Sequence, residues 1–478
     1  MDLQAFLNRH KRLFQTKPVA KLTECTAGVH ALKRVLTPFE LVLLGVGAII
    51  GTGIFVITGV VAASYSGPAL VVSFIISGIV CAFAALCYAE FAAMVPVAGS
   101  AYTYGYASLG ELLAWIIGWD LILEYSVSIA AVAVGWSGYV STLLANAGLI
   151  LPAAFINPPG QAGGILNIPA ILIIAVITLL LIVGVKESAR VNNIIVLIKL
   201  SVILIFLYLA SSHIRPVLWT PFMPYGWSGV LTGAAIVFFA YIGFDAVSTA
   251  AEEVNDPQRS LPIGIIGSLI ISTILYIAVS AVLTGIVSYT TLNTAAPVAY
   301  SLQEIGIQWG SALVSVGALC GITSVLLVLL YGQTRIFFAM SRDGLLPRTF
   351  RELHPTFRTP AKVTLLVGTV TAIIASTLPL QSIAELVNIG TLAAFIIVAL
   401  GILVLRYRRP EIERPFRCPF VPVVPVLCIV SCSILIYVLP LVTHLRFVIW
   451  LAIGLIVYFF YGRKHSRIDE DTKDIECY

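Results

Sequence analysis

Two glycine-interrupted apolar runs carry the most legible chemistry in this chain: Gly45-Val-Gly47-Ala-Ile-Ile-Gly51-Thr-Gly53-Ile-Phe55 and Phe238-Phe-Ala-Tyr-Ile-Gly243-Phe-Asp245. Each lies within a stretch long enough to cross a bilayer, and the two hold similar positions in two halves of the chain. In hydrocarbon an unsatisfied backbone group is costly, so a helix breaks at mid-membrane only where its freed N–H and C=O groups line a cavity or meet a ligand. The pair therefore reads as one solute site made of backbone. Gly47-x-x-x-Gly51 alone would also serve close helix packing, but two breaks at matched positions fit packing poorly. A dinucleotide fingerprint is excluded, because these glycines lie inside a span and not between a strand and a helix.

Ionisable side chains inside apolar runs are the second signal. Lys199 falls about ten residues into its span, roughly 15 Å from either end at 1.5 Å per residue, too deep for its amine to reach the interface comfortably. Desolvation disfavours a charged amine, so a lysine at that depth can exchange a proton near neutral pH; a static ion pair is the plainer use. Asp120 and Glu124 are four apart and share one helix face, where intramembrane acids turn to the bundle interior. Glu124, the deeper, is the expected member of a proton network with Lys199, completed by Tyr276 and the Thr52 hydroxyl. Asp245 reads as a cap on the helix that follows the second break.

The elements that position these groups follow from composition. With 59% hydrophobic and 11% charged residues and a mean hydropathy of +1.01, the chain reads as an all-α polytopic membrane protein. No Asp, Glu, Lys, Arg or His occurs from Leu41 to Ala89. Continuous apolar runs of about 20 residues fit helices and not a barrel. Twelve spans are expected, at roughly 38–63, 69–94, 102–140, 167–185, 189–212, 228–251, 262–288, 310–340, 363–378, 382–405, 420–440 and 446–462. With the N-terminus inside, all 28 Lys and Arg except Lys199, Arg215 and Arg446 fall on the cytoplasmic side, as the positive-inside rule expects. The net charge of +5 thus describes topology and not nucleic-acid binding. The uncharged, Gly- and Pro-rich segment 141–166 reads as an external loop. The polar, basic first 37 residues lack a short apolar core and are not expected to form a cleavable signal peptide. Cys81, Cys87, Cys320, Cys428 and Cys432 fall in apolar runs without CxxC spacing and read as buried small hydrophobes, not disulfides or metal ligands.

Grouping the first ten spans as five plus five puts a broken helix first in each half. The expected organisation is a cytoplasmic tail at 1–37, a five-helix repeat at 38–212, a second, inverted five-helix repeat at 228–405, two peripheral helices within 418–462 and a cytoplasmic tail at 463–478.

Several linked motifs then resemble the amino acid-polyamine-organocation superfamily, most closely bacterial members of its cationic amino acid transporter branch. They are the first broken helix; Tyr88-Ala-Glu90 followed by Pro96, Gly99 and Tyr102; Glu252-Glu253-Val-Asn255-Asp-Pro257-Gln-Arg259-Ser-Leu-Pro262; and Arg335 followed by Ser341-Arg342-Asp343-Gly344-Leu-Leu-Pro347. The resemblance covers nearly the whole chain. It implies a LeuT-like fold, with the first and sixth helices broken, and alternating access of an amino acid site at a multi-pass position in the cytoplasmic membrane. It leaves the substrate open, since the branch moves neutral as well as cationic amino acids.

Within that frame, free N–H groups of Gly51, Thr52 and Gly53 are expected to hold the carboxylate, aided by the helix dipole. Carbonyls near Ile49, Phe239, Ala240 and Ile242 are expected to receive the ammonium, positions that contribute to the site in similar family members. Phe239 and Tyr241 are candidate lids, and Leu329 a candidate wall. Sodium-coupled members of the fold hold a metal ion near the place where a protonated Lys199 would supply the same charge, so the coupling ion is expected to be H+, with no metal and no cofactor. Glu90, Glu252, Glu253, Arg259, Arg335 and Arg342 lie near cytoplasmic helix ends, where ion pairs can form an inner gate or anchor topology. Proton-coupled uptake of small neutral L-amino acids such as alanine is the favoured expectation; transport or exchange of arginine, lysine or ornithine is the alternative. An intramembrane enzyme is not expected. All six histidines, His10, His30, His213, His354, His444 and His465, fall in expected tails or loops, and neither H-E-x-x-H nor G-x-S-x-G occurs. Lipid and a small amino acid are the expected partners, and oligomeric state is left open.

Overall fold

Helices arise here because apolar side chains recur on every face of long runs and the backbone satisfies itself within each run. The computed structural model describes residues 15–16, 36–97, 100–161, 163–184, 189–357 and 359–467. Most of the expected tail 1–37, most of the tail 463–478, Gly99 and the Glu252 side chain lie outside the described residues. Among those described there is no strand, only a single bridge between Leu36 and Val254.

The first helix, α1 (Pro38–Ile49), starts on a capping box in which Thr37 and Glu40 exchange side-chain and backbone hydrogen bonds. The chain breaks, then resumes through Gly53–Ser66 as two π-helical turns around a short α-helical one. It turns a corner at Gly67, whose φ of 60° suits glycine. There follow α2 (Leu70–Met94), α3 (Ser100–Ser108), α4 (Glu111–Asn146), α5 (Ile168–Val183) and α6 (Ala189–Ser211). After an irregular stretch come α7 (Gly226–Val237), a second break, α8 (Pro257–Ile286), α9 (Pro297–Glu304) and α10 (Gln308–Arg342). Last are α11 (Ala361–Thr377), α12 (Leu380–Arg408), α13 (Val423–Val438) and α14 (Leu441–Val457).

Among the described residues, eight helical stretches are long and apolar enough to cross a membrane, and four apolar helices are shorter. Three expectations are corrected. The span expected at 102–140 is two helices, because Gly110 at φ 101° turns the chain between α3 and α4. The loop expected from Ser141 begins later: α4 runs on to Asn146, with the Ser141 and Thr142 hydroxyls bonded to the Ser137 and Gly138 carbonyls. Cys320 is exposed and not buried, whereas Cys81, Cys87, Cys428 and Cys432 are buried.

Packing places α8 against α1 and α2, α4 against α10 and α12, α5 against α11, and α6 against α10. The two breaks meet at the centre of this arrangement, where Gly53–Ile57 contacts Phe238–Tyr241.

Candidate functional site

The first break is a change of backbone direction. Ile50 is extended (φ −78°, ψ 100°) although its N–H still reaches the Val46 carbonyl at 3.0 Å. The next arm opens at Gly51, whose carbonyl accepts from Phe55 N at 3.3 Å. The N–H groups of Gly51, Thr52 and Gly53 therefore begin a helix and have no intrahelical acceptors, at its positive end. In the second break, α7 tightens into a 3-10 turn at Phe238–Tyr241, Ile242 is extended, and Gly243 takes φ 116°. The breaks press on each other reciprocally. A Cβ on Gly53 would collide with the Ala240 backbone, and one on Gly243 would come within 2.9 Å of the Ala48 carbonyl oxygen.

Three side chains from other elements converge on the first break. Lys199 of α6 is 0% exposed; its ammonium donates to the carbonyls of Gly47 and, at 2.9 Å, of Ile50, while its stem lies against Gly321 of α10. Tyr276 of α8 places its hydroxyl between the breaks, 2.9 Å from Ile49 O and 2.6 Å from Ala240 O. Thr52 packs on Gly135 of α4 and donates to Val132 O at 3.5 Å. Glu124 goes elsewhere. It lies in the neighbourhood of Thr391 of α12, Asp245 and Asp120. Both Asp120 oxygens are buried without a hydrogen bond. Asp245 stands before Ala246–Thr249, but its side chain makes no capping bond, which corrects the capping expectation.

A cavity of about 20 Å³ lies between the breaks, room for a water and not for an amino acid, so occupancy requires the walls to part. Ile49, Gly51, Thr52, Gly53, Phe239, Ile242 and Leu329 line it. Ala240 faces Gly53 and Tyr276 behind it. Tyr241 points away, donating to Phe74 O at 2.8 Å. The sequence did not single out Ser128 and Val132 of α4 or Val325 of α10, which complete the wall. Their one available signal is helical spacing: Ser128 with Val132, and Val325 with Leu329, are each one turn apart.

At one end of the bundle, Glu90 of α2 is 1% exposed and pairs with Arg406 at 2.5 Å and Arg414 at 3.3 Å, and it accepts from Cys418 N at 2.7 Å. Of the six charged residues expected near that end, Arg335 instead stacks over its own neighbour Tyr331.

Apolar helices interrupted twice, with both interruptions facing one cavity, fit a multi-pass membrane protein. The chain belongs to the amino acid permease family, whose profile matches residues 36–461. It is 52% identical over 459 residues to a methylthioribose transporter of Bacillus subtilis (strain 168), covering 96% of this chain and 99% of that one. It is 50% identical over 462 residues to the branched-chain amino acid permease BcaP of the same organism, with the same coverage. Similarity to cationic amino acid transporter 4, vacuolar, of Arabidopsis thaliana is 40% over 393 residues, 80% of this chain and 65% of that protein. All three are named as transporters or permeases, and membership of the family implies an amino acid substrate.

Proposed function

We propose that this protein takes up small neutral L-amino acids, such as alanine, by proton-coupled alternating access. The observation that carries the reading is the cavity between the breaks, none of whose described lining side chains is ionisable. The Gly51, Thr52 and Gly53 N–H groups suit a carboxylate, and the carbonyls of Ile49, Phe239, Ala240 and Ile242 suit an ammonium. A substrate side chain then meets Val132, Val325 and Leu329. A second cation would be repelled by Lys199 and would find no acid in the wall, which disfavours arginine, lysine and ornithine. The branched-chain relative favours the neutral range and extends it upward in size.

Proton coupling rests on Lys199. Its ammonium sits on the Gly47 and Ile50 carbonyls, where loss of the proton would remove the charge that strengthens both hydrogen bonds and so tie protonation to the conformation of the break. Thr52 and Tyr276 belong to the same shell; Glu124 would act from the neighbouring group with Asp245 and Asp120.

The architecture proposed is a LeuT-like five-plus-five inverted repeat, 38–212 and 228–405, with peripheral helices in 418–462. Joining α1 to Gly53–Ser66 across the break gives twelve spans. The packing supports it, because the first span meets the sixth, the second the seventh, the third the eighth and the fourth the ninth. Location in the cytoplasmic membrane with both termini inside completes the reading.

The test is uptake into proteoliposomes with the twenty amino acids as competitors, supported by thermal shifts of purified protein. Alanine should compete better than arginine or lysine, and uptake should rise with an inward proton gradient without sodium. One charge moved through 100 mV is worth about 2.3 kcal/mol, enough for roughly a fifty-fold gradient. Lys199→Ala should therefore lose accumulation. A winning arginine overturns the neutral reading; a strict sodium requirement, or full accumulation by folded Lys199→Ala, overturns the coupling.

A further inference from the structure

Ser128 is 2% exposed, lines the cavity, and its hydroxyl has no hydrogen-bond partner. Other hydroxyls on the same helix are engaged. Ser126 donates to Ile122 O at 2.7 Å, Ser137 to Asn167 Oδ1 at 2.7 Å and Ser141 to Ser137 O at 2.8 Å. Around Ser128 the side-chain wall is aliphatic: Val132 one turn along α4, and Val325 and Leu329 on α10. The Thr52 hydroxyl, the other polar side-chain group on the cavity, already points to the Val132 carbonyl. A buried hydroxyl left unpaired is unfavourable, and an incoming group that both donates and accepts relieves it.

We propose that Ser128 is a side-chain subsite that hydrogen-bonds a hydroxyl on the substrate, so that the transported range includes the β-hydroxy amino acids serine and threonine. This rests on the amino acid site proposed above. An aliphatic wall alone separates a hydroxyl from a methyl of the same size poorly, whereas a wall with one paired polar group separates them well.

The experiment uses two pairs that differ by that exchange: serine against 2-aminobutyrate, and threonine against valine. Each competes with labelled alanine in proteoliposomes of wild type, Ser128→Ala and Ser128→Thr. Relative to its methyl counterpart, each hydroxyl substrate should weaken roughly tenfold in Ser128→Ala, the loss of one buried hydrogen bond, and recover in Ser128→Thr. An unchanged serine to 2-aminobutyrate ratio in Ser128→Ala overturns the subsite, since the hydroxyl then turns to its own helix backbone. Equal loss for all four overturns it too, because Ser128 would then serve the group common to every amino acid. Wild type that neither binds nor transports alanine or any other amino acid instead removes the amino acid reading itself, so the two failures are distinguishable.

Discussion

Gly53 is the tightest position in the site. An added Cβ there meets the Ala240 backbone, which cannot turn aside, whereas at Gly51 it meets Val325 Cγ2 at 3.2 Å, the end of a side chain. We expect Gly53→Ala to destabilise the protein by about 1–3 kcal/mol and to abolish alanine uptake, with Gly51→Ala much closer to wild type. Gly51→Val should block the carboxylate cradle while leaving membrane insertion intact. Thermal unfolding and proteoliposome uptake of the purified variants check this, and equal behaviour of the two alanine variants would sink it. Ile49, Gly51, Thr52, Gly53, Phe239 and Ile242 were legible in the sequence because glycine inside an apolar run is an anomaly. Ser128, Val132 and Val325 were not. They belong to helices that are apolar around most of their circumference, where no periodicity says which face looks inward. The same uncertainty of rotation hid the contact of Glu124 with Thr391.

Between elements, the ends of α2 and α12 are joined through Glu90. Its carboxylate answers Arg406 Nε at 3.0 Å, Arg414 and the Cys418 N–H, so removing its charge leaves Arg414, at 7% side-chain exposure, without its counter-ion. Glu90→Gln should cost about 3 kcal/mol, the range for breaking a buried pair from one side. Arg406→Gln should cost less, because Arg406 is 27% exposed and the other two partners remain. Thermal midpoints of the two variants decide it; equal losses would mean that the cluster is not organised by Glu90. The long apolar helices were readable from hydropathy to within a few residues, whereas the short α9 was not. The split between α3 and α4 was not, since aromatic and small residues continue across it and only Gly105 and Gly110 hint at a turn. Nor was the length of α4: an uncharged stretch rich in Gly, Pro, Ala and Asn resembles loop, yet the Ser141 and Thr142 hydroxyls at its start satisfy carbonyls of the helix they extend.

For the whole molecule, composition disclosed a membrane protein and the paired glycine runs disclosed the two breaks that meet in the fold. Which helix meets which was beyond the sequence, because lipid-facing and helix-facing residues are equally apolar and leave little pattern to read. The two breaks are bridged by Tyr276, whose single hydroxyl proton faces two carbonyls, Ile49 O and Ala240 O. An arriving ammonium brings three donors to the same neighbourhood. Tyr276 and Lys199 thus satisfy carbonyls of the interrupted backbone from within the chain. Under the uptake cycle proposed above, net import then depends on these two side chains in a way that one-for-one exchange does not. Tyr276→Phe should therefore retain counterflow of labelled alanine between loaded compartments while losing most net import into vesicles without internal alanine. Equal loss in both assays would reduce Tyr276 to a packing residue.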